Sequence, residues 1–460
     1  MTFSALDSAL LGPLFATDAM RACFSDEARL AAMLEAEAAL ARVQAGFGLA
    51  PEGLAAAIEA VTPGGLDMAA LGRQTALAGV PTIPFTKAVQ ERLPPELERA
   101  FHKGATTQDI LDTALVLQSR CALRLVAAEL DMVLAGLSRL AISYRATPCV
   151  GRTYGQHAAP VTFGFKAAVW LAGVAEAADR LPGVRRRLLT ASLGGPVGTL
   201  AGLGKHGPEV LDAFARELDL GTSPLAWHAR RGRVAEAGAW IAGVVGALGK
   251  MATDVAQLCS TEVGEVAEPY VPGRGGSSAM PHKRNPVSCT VILAAHAAAP
   301  AHVTTLFAAI AVQHERPIGL WHAEWHALPP LFGLLSGALR EARALCEGLE
   351  VNADRMRANL DLTRGLLFAD AAAARLGAKL GREAAHDVVE RAASEVRRTG
   401  TPLEKVLATD PDAAGVDLAP AFDLAPAVAA AGPWVDRAVQ DAARVRARLA
   451  PVVGRGLSLR

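Results

Sequence analysis

With 460 residues the chain has room for two or three domains, and its 46 basic and 46 acidic side chains leave no formal net charge. That balance, with no block of Lys or Arg, excludes a nucleic-acid binder held by a basic field. Hydrophobic residues make up 51% and aromatic ones only 5%; Ala and Leu, the strongest helix formers, dominate and predict a mostly helical protein.

Ser25-Asp26-Glu27 reads as a helix start, a capping hydroxyl followed by acids that favour the N-terminal dipole. Leu30, Met33, Leu34, Ala38 and Ala41 recur at helical spacing until Gly46 and Gly48 end the run. Pro51 opens a shorter helix that Pro63-Gly64-Gly65 closes, and Pro84, Pro94 and Pro95 break the stretch from Thr82 to Gly104. Residues 1–108 therefore read as a small N-terminal helical domain. From Gln108 to Tyr144 there is no Pro, and apolar residues lie around most of the helix, the mark of a bundle interior. Similar runs at 161–191, 229–268, 287–314 and 326–350 predict five long helices, a central bundle over 109–350. Gly194–Gly204 and the residues up to Arg230 read as a loop with a short helix. The Ala-rich residues 351–460, broken at Thr401-Pro402 and Asp410-Pro411-Asp412, read as a C-terminal helical domain. The predicted fold is all-α, three helical domains around a long five-helix bundle.

Between Asn285 and His314 there is no Asp, Glu, Lys or Arg, a stretch long enough to raise a membrane span. His296, Pro300 and His302 interrupt it, so a helix buried in a large soluble bundle is expected instead. The six cysteines form no C-x-x-C pair and read as free thiols in a reducing compartment. The N-terminus lacks the basic region of a signal peptide, and a cytoplasmic location is expected.

Polar islands stand at the ends of these apolar helices. The first is Phe101-His102-Lys103-Gly104-Ala105-Thr106-Thr107-Gln108-Asp109, where hydroxyls and orphan helix amides offer a carboxylate seat. The second is Gly151-Arg152-Thr153-Tyr154-Gly155-Gln156-His157, in which Arg152 and His157 can each meet a carboxylate. The third runs from Gly273 to Pro286 and includes Ser277-Ser278-Ala279-Met280-Pro281-His282-Lys283-Arg284-Asn285-Pro286. It gathers hydroxyls, amide donors, one cation and one carboxamide, which suits an anion that gains charge during reaction. A fourth cluster, His314-Glu315-Arg316 through Trp321-His322-Ala323-Glu324-Trp325-His326, invites a metal through His322 and His326. Pro317 and Gly319 break that segment and no ligand set repeats elsewhere, so no metal is expected.

Ser277-Ser278-x-Met280-Pro281-x-Lys283-x-Asn285-Pro286 resembles the signature of the fumarase/aspartase superfamily, and the first two islands match its other two signature regions in order. The resemblance implies a homotetramer whose bundles form one core, sites built by three subunits, and cofactor-free β-elimination or its reverse. It implies that Ser277 moves the α-proton, that Lys283 and Asn285 hold the aci-carboxylate, and that His157 assists. His102, Thr106, Thr107, Gln108, Arg152, Thr153, Gln156, Ser278, Met280 and Arg316 would bind substrate. Within the superfamily, His102-x-Gly104-Ala105-Thr106-x-Gln108-Asp109, Gln156-His157-Ala158 and the fourth cluster most resemble the carboxymuconate cycloisomerase branch, which lactonises a tricarboxylic diene. Lyases of the superfamily commonly carry His, the acid for the leaving group, where Tyr154 stands. The rivals are an adenylosuccinate lyase-like enzyme, which would need a phosphate ligand near Trp325, and a non-catalytic structural paralogue.

Overall fold

A computed structural model describes residues 3–276, 279–280 and 283–454. Helix α1 (Asp26–Gly46) starts as expected, with the Ser25 hydroxyl accepting the Ala28 N–H at 3.1 Å. The bundle comprises α2 (Thr107–Ser143), α3 (Phe163–Asp179), α4 (Gly232–Leu258), α5 (Val287–Ala308) and α6 (Leu328–Gly348). These five runs are those read from the sequence, with one break. The expected 161–191 helix ends at Asp179 and restarts as Leu181–Leu188, because Pro182 in its first turn donates no hydrogen bond to the turn before.

Two of the three cores draw on segments distant in the chain and cross the expected divisions at 108 and 350. The last helix, α7 (Ala425–Val453), packs into the bundle: Val435, Ala442, Val445 and Leu449 share its core with Leu130, Leu171, Val245 and Leu335. Its apolar residues recur seven apart in an Ala-rich context that masks the stripe. The helix Asp18–Cys23 adds Met20 and Cys23 to the same core, where the Cys23 thiol lies 3.0 Å from that of Cys121. Leu193, Leu203, Val210 and Phe214 leave the bundle and pack with Leu40 and Phe85 in the N-terminal core. The C-terminal unit shrinks to a small core around Leu376, Val388 and Leu403.

A second correction concerns α5. It packs on α4 and α6 through Ile292, Ala295, Ala299 and Leu306. A Cβ at Gly238 of α4 would collide with Leu306, so a glycine lets these two helices touch. The opposite face, with Ala294, Ala297, Ala298, Ala301, Phe307 and Ala308, is exposed. Both α4 and α5 are long and apolar enough to cross a membrane; α4 is 61% buried over its most apolar stretch, whereas α5 is only 28% buried. The expected burial of residues 285–314 is therefore not met within one chain.

The side-chain ties fix which ends lie together. His228 meets Asp109 and Arg231 meets Asp112, so α4 begins beside the start of α2. Arg152 meets Glu265, so the two helices also finish together. Helix α5 starts there, its first amides on Glu268, and runs back until Arg316 reaches Thr106. At about 1.5 Å per residue, the 37 residues of α2 span about 55 Å between the two ends.

Candidate active site

At one end, Thr106 is the extended residue before α2, and Thr107 is its first helical residue. The Arg316 guanidinium donates to Thr106 Oγ1 at 2.8 Å and to Thr107 Oγ1 at 2.9 Å. Among the described residues Arg316 has no carboxylate at ion-pair distance. A planar fork and two hydroxyls thus converge at a helix start, an arrangement of donors that could receive a carboxylate. His102 stands nearby with φ 57°, its Nδ1 2.5 Å from Glu37. Burial works against the charged ring, but the Glu37 carboxylate, with a smaller push from Asp109, outweighs it and raises its pKa.

Behind the seat lies a buried polar layer. Asp109 accepts from Thr106 N (2.9 Å), Gly194 N (2.8 Å), Gly195 N (2.9 Å) and His228 Nε2 (2.6 Å). One carboxylate thereby holds the N-terminus of α2, the glycine loop and the approach to α4 in register. Asp112 and Glu324 clamp Arg231 from two sides, all three at most 1% exposed, and Trp321 Nε1 donates to Asp112 at 3.0 Å. Burial pushes the Glu324 carboxyl up while Arg231 pulls it down. Gln108 is fully buried, donating to the His228 carbonyl (3.1 Å) and to Asp112 (3.3 Å). It belongs to this layer in the single chain: position 108 is one residue past Thr107 and turns inward, with its Oε1 unpartnered among the described residues.

The second island is a β-hairpin at the far end of α2. Strand β1 (Pro148–Thr153) pairs antiparallel with β2 (Gln156–Thr162), with an irregularity between Gly151 and Arg152. Tyr154 (φ 51°) and Gly155 (φ 76°) form the two-residue turn, both left-handed as a twisted hairpin requires. Thr153, Tyr154 and Gln156 are exposed at this tip. Arg152 does meet a carboxylate, but that of Glu265, at 3.1 and 2.6 Å, with Asn359 donating to the same group. Both terminal nitrogens of Arg152 thereby anchor the hairpin to Glu265. His157 is half-buried with Nδ1 buried and unpartnered among the described residues. Burial first, then the Arg152 charge, lowers its pKa, so the ring is neutral at pH 7.

Of the third island, Ser277 and Ser278 lie outside the described residues. Lys283, Asn285 and Met280 are exposed. The loop is rooted below: Asn285 N donates to Gly275 O at 2.8 Å, and Arg284 grips Glu350 at 2.9 and 2.8 Å. Gly275 (φ 66°) must be glycine, since a Cβ there would stand 2.5 Å from the Asn285 carbonyl. Glu268 caps the start of α5 through Ser288 N (3.0 Å) and Cys289 N (2.9 Å), and Ser288 Oγ reaches Glu341 at 2.8 Å.

The chain therefore brings Thr106, Thr107, Arg316 and His102 together at one end. It brings Thr153, Gln156, His157, Lys283 and Asn285 to the other. His322 and His326 form no metal cluster: His322 donates to Gly79 O at 3.1 Å and stacks with Trp325, and among the described residues no group of three His, Cys, Asp or Glu is placed for a metal. The sequence reading missed Glu37, His228, Arg231 and Glu265, whose buried pairing had no local signal.

The sequence profile of the family described as Lyase matches residues 14–299, and that of the adenylosuccinate lyase C-terminus matches residues 365–438. The chain belongs to the fumarase/aspartase lyase family. It is 45% identical over 406 residues to the 3-carboxy-cis,cis-muconate cycloisomerase of Pseudomonas putida, covering 87% of this chain and 96% of that one. It is 44% identical over 450 residues to the nitrosuccinate lyase of Streptomyces davaonensis, covering 94% and 95%. The crystal structure of the 3-carboxy-cis,cis-muconate lactonizing enzyme from Pseudomonas putida superposes with a TM-score of 0.91 at 44% identity, over 95% of this chain and 100% of that one.

Proposed function

We propose that this family member is a cofactor-independent cycloisomerase that lactonises 3-carboxy-cis,cis-muconate to 4-carboxymuconolactone, a step of protocatechuate breakdown, in the cytoplasm. The observation that carries this reading is Arg316 held on Thr106 and Thr107 with no carboxylate at ion-pair distance among the described residues. A tricarboxylate supplies that missing partner and keeps two further carboxylates for the reaction. One of them adds through oxygen to the carbon–carbon double bond: the C–O bond forms, the π bond breaks, and the electron pair passes into an adjacent carboxylate as an aci-carboxylate. Lys283 and Asn285 stabilise that dianion, and Ser277, by resemblance to the family, returns the proton. His157, neutral at pH 7, serves as a hydrogen-bond partner to substrate. Addition releases no amine or alkoxide, so Tyr154 in place of an acidic His fits lactonisation.

The working unit is a homotetramer with shared sites. The seat and the loop stand at opposite ends of a bundle about 55 Å long, so one chain's seat needs another chain's loop. The exposed apolar face of α5 supplies a surface for that contact. Against an adenylosuccinate-type substrate, Trp325 packs edge-on against Trp321 at 5.1 Å and places no cation for a phosphate. The Streptomyces relative supports a second reading, elimination from nitrosuccinate.

The deciding assay tracks the ultraviolet absorbance of 3-carboxy-cis,cis-muconate with chelator present. Lactonisation breaks the diene conjugation, so absorbance should fall in proportion to enzyme. No fall, with nitrosuccinate or adenylosuccinate cleaved instead, would replace the cycloisomerase reading. Silence on all three would favour a non-catalytic paralogue. Ser277→Ala should leave the assembly folded and remove most turnover.

A further inference from the structure

A cleft of about 550 Å³ opens where the helix Leu181–Leu188 ends and α4 begins, lined by Arg186, Arg187, Arg230, Arg233, Thr222 and Ser223, with Arg231 and Glu236 beside them. The charges do not balance. Arg187 is matched by Glu236 at 3.0 and 2.7 Å, and Arg231 is spent on Asp112 and Glu324. Among the described residues Arg186, Arg230 and Arg233 have no carboxylate at ion-pair distance. Arg230 donates instead to Ser223 Oγ (2.5 Å) and the Leu225 carbonyl (2.6 Å). Arg233 lies over the Trp227 ring at 4.8 Å, within 3.5 Å of the same Ser223 oxygen and 3.3 Å of the Arg187 carbonyl.

Three guanidinium groups crowd one concavity with only neutral acceptors. Burial first, then the Arg230 and Arg231 charges, pulls Arg233 down to about 10, with Asp112 the only opposing influence. The start of α4 adds to this field, since it has no side-chain cap and its first residues line the cleft. The oxygen of Ser223 already accepts from both arginines, so its own proton is free to donate. Such a set has forks, a hydroxyl donor and helix amides, its one lining carboxylate, Glu236, being held by Arg187, and guanidinium forks match oxyanions geometrically.

We propose that this cleft is a second anion site, separate from the Thr106–Thr107–Arg316 seat, taking a small oxyanion of two or more negative charges, of the phosphate or polycarboxylate kind. Trp227 joins the cleft to the buried layer, because Arg231 packs on its ring at 4.7 Å and Arg233 at 4.8 Å. Occupancy should therefore be visible in the fluorescence of that indole.

The test is calorimetric titration of the full-length protein with inorganic phosphate and, separately, with citrate, at low ionic strength, alongside tryptophan fluorescence. Wild type and Lys283→Met should bind at least one of the two equally well. Arg186→Glu, an exposed and unpaired position whose change leaves folding intact, and Arg233→Met should each weaken that binding about tenfold or more and remove the fluorescence response. Phosphate alone bound marks a phosphate-type site, and citrate alone a polycarboxylate site. No binding of either ion, or equal affinity in wild type and Arg186→Glu, overturns the proposal. Binding abolished by Lys283→Met but untouched at Arg186 would assign the ion to the active site and overturn it as well.

Discussion

The two ends of the bundle are built in opposite ways. At the Thr106 end the ligand-facing groups rest on a dry layer of charge, with Asp109, His228, Asp112, Arg231 and Glu324 all nearly inaccessible. At the Lys283 end the Lys283 and Asn285 side chains are exposed, and the root of their loop is tied down through Arg284, Glu268 and Glu341. One end is held in place by buried ion pairs, whereas the other presents Lys283 and Asn285 at the surface. Under the proposed sharing of sites between chains, this division would let the rigid half fix the anion while the other end supplies the chemical groups.

The sharpest way to break this comparison is to damage one end per chain. Lys283→Met should lower kcat about 10²–10³-fold, and Thr107→Val should impair turnover through the seat. Co-expressed, the two variants should regain activity, because mixed assemblies contain some sites with neither lesion. Absence of any recovery in purified hybrids would refute sites shared between ends. A smaller effect, on stability, is expected from Arg231→Met. It leaves Asp112 and Glu324 buried together without their cation and should cost about 3–5 kcal/mol in denaturant unfolding. An equal loss from Arg284→Met would erase the contrast, since that pair is exposed on both sides.

The His102–Glu37 pair gives a pH signature confined to the seat end. The His102 pKa is raised above its ordinary 6.5. The pair therefore stabilises fully below that value, and its contribution fades as pH rises through the raised pKa. Unfolding free energy should decline over that window, and Glu37→Gln should flatten the decline. The smallest effect belongs to the hairpin tip. Tyr154→Ala should change stability by no more than about 0.5 kcal/mol, since the ring is fully exposed, while measurably changing KM or kcat where a neighbouring chain uses the tip.

How much of this was legible in the sequence depends on how local each signal is. Thr106, Thr107 and the loop around Lys283 declare themselves by residue type at a helix start and by Gly-Ser-Pro spacing. The bundle helices declare themselves by length without proline. The buried ties of Gln108 and Arg152 were not legible, because a polar side chain in a motif can turn inward as easily as outward, and only the tertiary partner decides. Those partners lie far off in the chain, His228 being 119 residues from Asp109 and Glu265 113 residues from Arg152. The α7 stripe was missed because alanine packs as readily as it is exposed. The hairpin was within reach, since Tyr154-Gly155 between two extended runs is a two-residue turn, but its polar residues drew attention to chemistry.

One consequence rests on α2 alone. Deleting seven residues from its middle would preserve the helical phase and most of its apolar pattern, yet draw the two ends about 10 Å closer. In an assembly where one chain's seat must meet another's loop, such a shortened protein would still have every catalytic group and no site. The length of this helix is then as strict a requirement for turnover as the identity of the lysine, and insertions or deletions should be tolerated in the surface loops but not along this rod.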